Sequence, residues 1–386
     1  MKKRILLCCH SLSGGGAEKV METILEYLSL YDFSITVYSL HQEEVGDAEW
    51  SRRVQYRYLY KHAASNTFFL KKLYIRIYNK LLHLVYRFLS PKIFYRLFIR
   101  GEYDVEIAFI EGYATRIISG SVNPKSRKIA WVHANLDKDH WCSICYRNIK
   151  EENEAYSHYD DVICVSQEAN QAILRLFSSI RNCHVIYNPV DKKDVVRKSQ
   201  LELVGYTLLR RKFTLVSVGR LVPQKGFDRL LKVLKELIDE GYDLSLNIIG
   251  EGKERNKLEK FINENGLQNR VQLVGYLSNP YPLIRQADIV VCSSRVEGYN
   301  LVIAESLILG KPIIATHCAC IEEQLGRNNE YGYMTQNDTR SLYEGIKHAL
   351  EDPTFIDNYK NKALLSQCSL SFERSISEIY QLLIER

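Results

Sequence analysis

From Ile5 to Thr316 the chain repeats one pattern: a short apolar run, a polar or Gly-rich turn, then a stretch of helical spacing. Ile5–Cys9 leads through Ser13-Gly14-Gly15-Gly16-Ala17-Glu18 into helical periodicity over Lys19–Leu30. Ile35–Leu40, Val105–Ile110, Ile129–Val132, Val162–Val165 and Val185–Tyr187 read as further strands. After the turn Asn188-Pro189-Val190-Asp191 and a weakly patterned stretch, Lys192–Lys212, the pattern restarts. Strands at Thr214–Val218, Leu244–Ile249, Val271–Val274, Ile289–Cys292 and Pro312–Thr316 enclose helices such as Phe227–Gly241 and Lys253–Gly266. Strands that alternate with helices pair in parallel and are covered by those helices. The expectation is an α/β chain of two Rossmann-like, doubly wound parallel-sheet domains, residues 1–195 and 196–368, with the site in a cleft between them.

Charge divides the chain differently. The net charge is +6, yet residues 51–101 hold twelve Lys or Arg and no Asp or Glu, so the remainder balances at 40 − 46 = −6. Within that segment Leu70, Leu73, Tyr74, Ile77, Leu81, Leu84, Val85 and Phe88 follow helical spacing, with Lys72, Arg76, Lys80, His83 and Arg87 beside them. Pro91 opens a second basic helix, Lys92–Arg100, so that residues 66–100 form a basic amphipathic pair. Packing onto the domain accounts for Leu73 and Leu84. Fifty residues without an acid call for more, and Lys and Arg beside Tyr and Phe suit a helix lying on anionic lipid. With no recognisable nucleic-acid-binding fold, RNA and DNA are set aside as partners.

Ten cysteines are scattered, several inside apolar strands, and Cys142-x-x-Cys145 has no second pair at ligand spacing. They read as reduced structural thiols, with no metal assigned, in a reducing cytoplasm. The apolar run after Lys2-Lys3-Arg4 is too short for a signal peptide, and no uncharged run reaches the roughly 20 residues needed to span a bilayer.

One strand–turn–helix carries the chemistry. Asp288–Cys292 feeds Ser293-Ser294-Arg295-Val296-Glu297-Gly298-Tyr299-Asn300-Leu301, and a helix follows to Gly310. Such a turn gathers backbone N–H groups at a helix N-terminus, which suits phosphate. This one also carries two acids, Glu297 and Glu305, eight residues apart. The helix dipole favours an acid at its start but gives no reason for Glu305 inside it. Arg220 and Lys225 share the loop after another strand, where they can meet phosphate charge. His133 ends a third strand, at the carboxyl edge where α/β sheets bind ligands.

Taken together, these segments resemble the retaining GT-B glycosyltransferases of glycosyltransferase family 4. The likeness rests on Gly14-Gly15-Gly16-Ala17-Glu18, Trp131-Val132-His133, Tyr187-Asn188-Pro189-Val190-Asp191, Ser217–Gly226, Ile248–Gly252, Val274-Gly275-Tyr276 and the Glu297–Glu305 pair, in that order along nearly the whole chain. The resemblance implies a GT-B fold whose last helix, residues 369–386, crosses back to the first domain. It implies a metal-independent hexosyltransferase that moves a hexose or N-acetylhexosamine from a UDP-sugar to a lipid-linked oligosaccharide. Such enzymes assemble capsule, lipopolysaccharide or exopolysaccharide, and this one would be peripheral on the inner face of the cell membrane.

The resemblance also assigns roles. Glu297 contacts the donor sugar, and His133 hydrogen-bonds the donor sugar or phosphate; Arg220, Lys225 and the backbone N–H groups of Asn300 and Leu301 meet the diphosphate. Glu305, Gly275 and Tyr276 hold ribose and nucleotide, and Gly14, Gly15 and Gly16 close on phosphate or acceptor. Two departures, Asn300 after Gly298-Tyr299 and the stretch His317-Cys318-Ala319-Cys320, lie near the donor sugar in the resembled fold and leave the sugar's identity open. A sugar-nucleotide epimerase would share the fold but need no basic helices. A non-catalytic glycan-binding or scaffold subunit would not need Arg220, Lys225, Glu297 and Glu305 intact. A dinucleotide oxidoreductase is disfavoured because neither Gly-rich turn has G-x-G-x-x-G spacing.

Overall fold

The apolar run after Lys2 forms β1 (Lys3–Cys9), the strand at which the first sheet reverses its order. The structure, a computed structural model, describes residues 2–12, 14–43, 49–62, 69–203, 205–318, 320–366 and 372–385. Ser13, residues 66–68 of the basic segment and Ala319 lie outside the described residues. Two units form: residues 1–189 with 373–386, and residues 190–372.

The first unit continues through α1 (Gly16–Leu28), β2 (Phe33–His41), β3 (Gln55–Tyr60), α2 (Phe69–Phe88), α3 (Pro91–Phe98), β4 (Val105–Ala108) and α4 (Tyr113–Ser119). It ends with β5 (Arg127–Val132), α5 (Ile149–Ser157), β6 (Asp161–Cys164), α6 (Gln167–Leu176) and β7 (Cys183–Val185). The sheet runs β3-β2-β1-β4-β5-β6-β7 and every pairing is parallel. Its strands are covered on both faces and so read as unbroken apolar runs, with Leu6, Cys8, Ala108, Val132 and Cys164 in one core.

The second unit comprises α7 (Lys192–Ser199), β8 (Phe213–Val218), α8 (Phe227–Asp239), β9 (Leu244–Ile249), α9 (Arg255–Glu264), β10 (Val271–Gly275) and α10 (Tyr281–Gln286). Then come β11 (Ile289–Cys292), α11 (Leu301–Ile308), β12 (Ile313–Thr316), α12 (Ile321–Leu325), β13 (Tyr333–Thr335), α13 (Thr339–Glu351) and α14 (Phe355–Ser366). Its sheet is also parallel throughout, in the order β10-β9-β8-β11-β12-β13. The sheet order turns at β8 and β11, so the loops after them sit at the topological switch point. The last helix, α15 (Phe372–Ile384), lies on the first unit: Tyr380 packs 4.6 Å from Tyr31, and Arg127 donates to the Leu382 carbonyl at 2.8 Å. Both units thus have the doubly wound parallel architecture expected from the alternation. The edge strands β3 and β13 were not among the expected ones.

In α2 the apolar residues divide between two faces. Ile75, Leu82 and Tyr86 are buried, whereas Leu70, Tyr74, Ile77, Leu81 and Phe88 are exposed. Leu73 and Leu84, assigned above to packing on the domain, are 42% and 43% exposed and belong to the outer row. The correction has a simple cause: residues 75, 82 and 86 are themselves at helical spacing and take the inner face. Lys71, Arg76, Lys80 and Arg87 flank the outer row, and α3 continues it with Ile93 and Leu97. The carbonyls that end α2 are held by two guanidinium groups. Arg116 donates to Tyr86 and Leu89, Arg147 donates to Phe88 and Leu89, and Glu151 pairs with Arg116 at 2.8 Å.

Candidate functional site

In the second unit, Gly226 lets two loops meet. It has φ +67°, and a Cβ there would stand 2.1 Å from the Ser293 carbonyl oxygen, so only glycine permits the loop after β8 to lie against the turn after β11. Lys225, one residue earlier, passes across Gly219 and ends at Glu297, with Nζ 2.6 Å from Oε1. The same oxygen accepts from Ser294 Oγ at 2.6 Å and from Asn300 Nδ2 at 3.2 Å. Burial alone would pull the Lys225 ammonium down, but the Glu297 carboxylate outweighs it and holds its pKa above the ordinary value. At neutral pH this is a preformed ion pair. Arg220 is exposed on the same loop.

Beneath the turn lies Arg229, a buried guanidinium that donates to Ser293 O at 2.7 Å, Ser294 O at 2.8 Å and Asn337 Oδ1 at 2.7 Å. Arg295 grips Asp228 through two bonds, 2.8 and 3.0 Å. Asn300 caps α11 by accepting from the Ile303 N–H at 3.2 Å. Its own N–H, expected to meet the diphosphate, donates instead to Gln324 Oε1 at 3.3 Å, while Gln324 Nε2 returns a bond to Asn300 O. Among the predicted amide donors this leaves Leu301, the first residue of α11, where N–H groups have no intrahelical acceptor.

Glu305 is 2% exposed inside α11 and accepts from Tyr281 Oη at 3.0 Å. Burial first, then the carboxylate, pushes the Tyr281 hydroxyl far up, so it stays a donor. Gly275 closes β10, its carbonyl accepting from Gly250 N–H, and Tyr276 beyond it is 63% exposed. Arg220, Lys225, Glu297, Asn300, Leu301 and Glu305 therefore sit on two adjacent loops and one helix of a single unit.

The first unit holds the other predicted residues. His133 follows β5, and its backbone N–H donates to Glu111 Oε2 at 2.8 Å. Glu111 Oε1 accepts from Trp141 Nε1 at 2.8 Å. The His133 ring packs against Phe109 and Trp131, and burial lowers its pKa to about 4 against the opposing effect of a bond to the Phe109 backbone. Nε2 is buried with no hydrogen-bond partner. With the ring neutral and its proton committed to a carbonyl, Nε2 is a lone pair: it accepts from a hydroxyl and gives nothing to a phosphate oxygen. Gly14, at φ +102°, leads into α1, which Gly15 caps and whose first residue is Gly16. Glu18 in its first turn accepts from Ser11 Oγ at 2.8 Å. A small pocket beside this loop is lined by Cys9, His10, Ser11, Glu18, Met21 and Phe109.

Sequence reasoning did not find Ser294, Arg229, Gln324, Tyr281 or Glu111. Ser294 and Glu111 had a usable signal, since both follow strands at the carboxyl edge; the other three reach the site from elsewhere. Among the described residues, His140, Cys142 and Glu152, all in the first unit, form a group able to hold a metal ion. No described helix is long and apolar enough to cross a membrane.

Residues 206–365 match the family described as Glycosyl transferases group 1. The N-acetylgalactosamine-N,N'-diacetylbacillosaminyl-diphospho-undecaprenol 4-alpha-N-acetylgalactosaminyltransferase of Campylobacter jejuni is 31% identical over 206 residues, 53% of this chain and 54% of its own. An uncharacterized glycosyltransferase of Methanocaldococcus jannaschii is 28% identical over 201 residues, 51% of this chain and 50% of its own. The chain thus spans about half the length of these curated relatives. Among solved structures, Anabaena HepE in complex with UDP and glucose superposes with a TM-score of 0.71 at 19% identity, over 99% of both chains. That likeness establishes the fold: two Rossmann-like parallel-sheet units of the GT-B kind.

Proposed function

We propose that this chain is a retaining glycosyltransferase that moves a hexose or N-acetylhexosamine from a UDP-sugar to a lipid-linked oligosaccharide. The observation that carries this reading is the Lys225–Glu297 pair at the N-terminus of α11, an ammonium and a carboxylate held together at the switch point of a parallel sheet. Lys225, Arg220 and the first amides of α11 meet the two negative charges of a departing diphosphate, where cations and dipoles act before water does. Glu297, fixed by Ser294 and Asn300, accepts from sugar hydroxyls and holds the ring for departure. Glu305 accepts from ribose, with Gly275 and Tyr276 beside the nucleotide. His133 offers its Nε2 lone pair to a sugar hydroxyl.

The acceptor hydroxyl attacks the anomeric carbon as its bond to the diphosphate breaks, and the leaving phosphate oxygen takes the hydroxyl proton. The attack is on the face the phosphate leaves, which retains configuration. No metal takes part in this step. The relatives support the substrate class: residues 206–365 carry the family match, and the Campylobacter relative is named for a diphospho-undecaprenol substrate. The outer row of α2 and α3, apolar between basic residues, supports a place on the anionic inner face of the cell membrane beside such an acceptor. The enzyme would serve assembly of a cell-surface polysaccharide.

Calorimetric titration of UDP, GDP and ADP with EDTA present tests the donor site. UDP binds best to the wild type, and Lys225→Ala and Glu305→Gln each weaken it. Wild-type affinity in both variants, or no nucleotide binding at all, overturns the assignment.

A further inference from the structure

The first unit contains a compact group that the proposed reaction does not use. His140 Nε2 lies 3.0 and 2.9 Å from the two oxygens of Glu152, and Cys142 Sγ lies 3.3 Å from Oε1. The three ligand atoms are all within 4.8 Å of one another. Glu152 is 1% exposed and Cys142 fully buried, while His140 is 24% exposed and opens the group to solvent. Beside it, the hydroxyls of Tyr146 and Tyr156 are buried without a hydrogen-bond partner. Buried hydroxyls in native proteins find partners, so these two point to a polar ligand in the same place.

We propose that His140, Cys142 and Glu152 bind a zinc ion. The donor set, one imidazole, one thiolate and one carboxylate, is the mixture that Zn²⁺ accepts, and three protein ligands leave a fourth position for water. Tetrahedral zinc separates its N and O ligands by about 3.4 Å and its S and O ligands by about 3.6 Å, given bond lengths of roughly 2.0 to 2.3 Å. The pairs above need to open by only about half an ångström. Charge also balances. The ion displaces the Cys142 S–H proton to solvent, so that +2 meets a thiolate and a carboxylate with neutral His140.

The place of the site gives it a structural task. Cys142 belongs to the turn whose Trp141 holds Glu111, and Glu111 holds the His133 backbone. Glu152 follows Glu151, which secures the two arginines that end α2. Zinc would therefore fasten the loop that carries His133 to the helix that anchors α2. The proposed phosphate chemistry has its cations and amides in the second unit and remains metal-free.

Cobalt substitution tests this directly. The purified full chain, stripped with chelator and titrated with Co²⁺, takes up one equivalent and shows the near-ultraviolet thiolate-to-cobalt band. Cys142→Ser, which keeps the hydrogen bond to Glu152, loses the band; His140→Gln and Glu152→Gln weaken uptake about tenfold or more. Zn²⁺ raises the Tm of the wild type and leaves that of Cys142→Ser unchanged. Absence of the band in wild type, or equal bands in wild type and Cys142→Ser, overturns the proposal. Because Cys142→Ser lacks the site, EDTA-sensitive transfer in that variant would instead contradict the metal-free reaction, so the two readings fail separately.

Discussion

The turn before α11 and the outer row of α2 are opposite uses of the same side-chain chemistry. At the turn, a charge is buried and answered: Glu297 takes Lys225, Ser294 and Asn300 on one oxygen, and Arg229 holds the backbone from below. Along α2, apolar side chains stand in water between cations, with no acid from residue 51 to 101. The turn stores geometry, which a transition state needs. The helix stores exposed area, which a lipid surface needs. A charged site loses its use when one partner is removed, whereas an adsorbing surface weakens by increments. Variants in the two regions should therefore behave differently in kind.

The largest effect falls at the turn. Glu297→Gln keeps the shape and removes the charge that Lys225 balances; turnover should fall on the order of 10³-fold, about 4 kcal/mol, with UDP affinity within a few fold. A comparable rise in KM with kcat intact would make Glu297 a ground-state contact only. Next comes pH. His133 is neutral in both folded and unfolded chains at pH 7. Below its ordinary value of 6.5 the unfolded chain takes a proton that the folded site refuses until about 4. Stability should thus fall as pH drops from 6.5 to 4, by about 3 kcal/mol at about 1.4 kcal/mol per pH unit. His10 and His41, also held down by burial, add to the slope. Stability from urea melts across that range should therefore fall more steeply in wild type than in His133→Gln, the difference being the His133 share.

Lys225→Ala removes one member of a buried pair and should weaken UDP by roughly 30-fold, about 2 kcal/mol, while vesicle binding stays unchanged. The smallest steps belong to α2. Arg76→Gln and Lys80→Gln should each reduce flotation with anionic vesicles by about 1 kcal/mol, with no effect on UDP. Equal binding to neutral and anionic vesicles would remove the electrostatic half of the comparison. Coupled loss of UDP binding would remove the separation between the two regions.

Much of this was legible in the sequence for a physical reason. Strands buried on both faces carry unbroken apolar runs, so the interior strands of both sheets stood out. Two of the four edge strands did not: Gln55–Tyr60 is mixed and Tyr-rich, and Tyr333–Thr335 is three residues long. Glu297, Glu305, Lys225 and Arg220 were readable because turns at strand ends place polar residues in view. Arg229, Tyr281 and Gln324 were not, because each enters the site through packing over 24 to 65 residues of separation. Asn300 was found, but as an amide donor. Its side chain makes it the cap of α11, and Gln324, invisible from local spacing, takes its N–H. In α2 periodicity identified the helix but could not choose between two apolar faces, hence the misplacement of Leu73 and Leu84. Cys142 was dismissed for want of a second pair, since His140 and Glu152 do not follow the spacing of a zinc motif.

The proposed reaction transfers one sugar from a UDP-sugar with its anomeric configuration kept. Wild-type and Glu297→Gln protein would be incubated with a panel of UDP-sugars and a polyprenyl-diphosphate-linked oligosaccharide, and the product read by mass and by anomeric NMR signals. The prediction is an acceptor heavier by one hexose or N-acetylhexosamine, linked with the donor's configuration, formed by wild type and not by Glu297→Gln. Conversion of a UDP-sugar without any acceptor, or a product of inverted configuration, would contradict it.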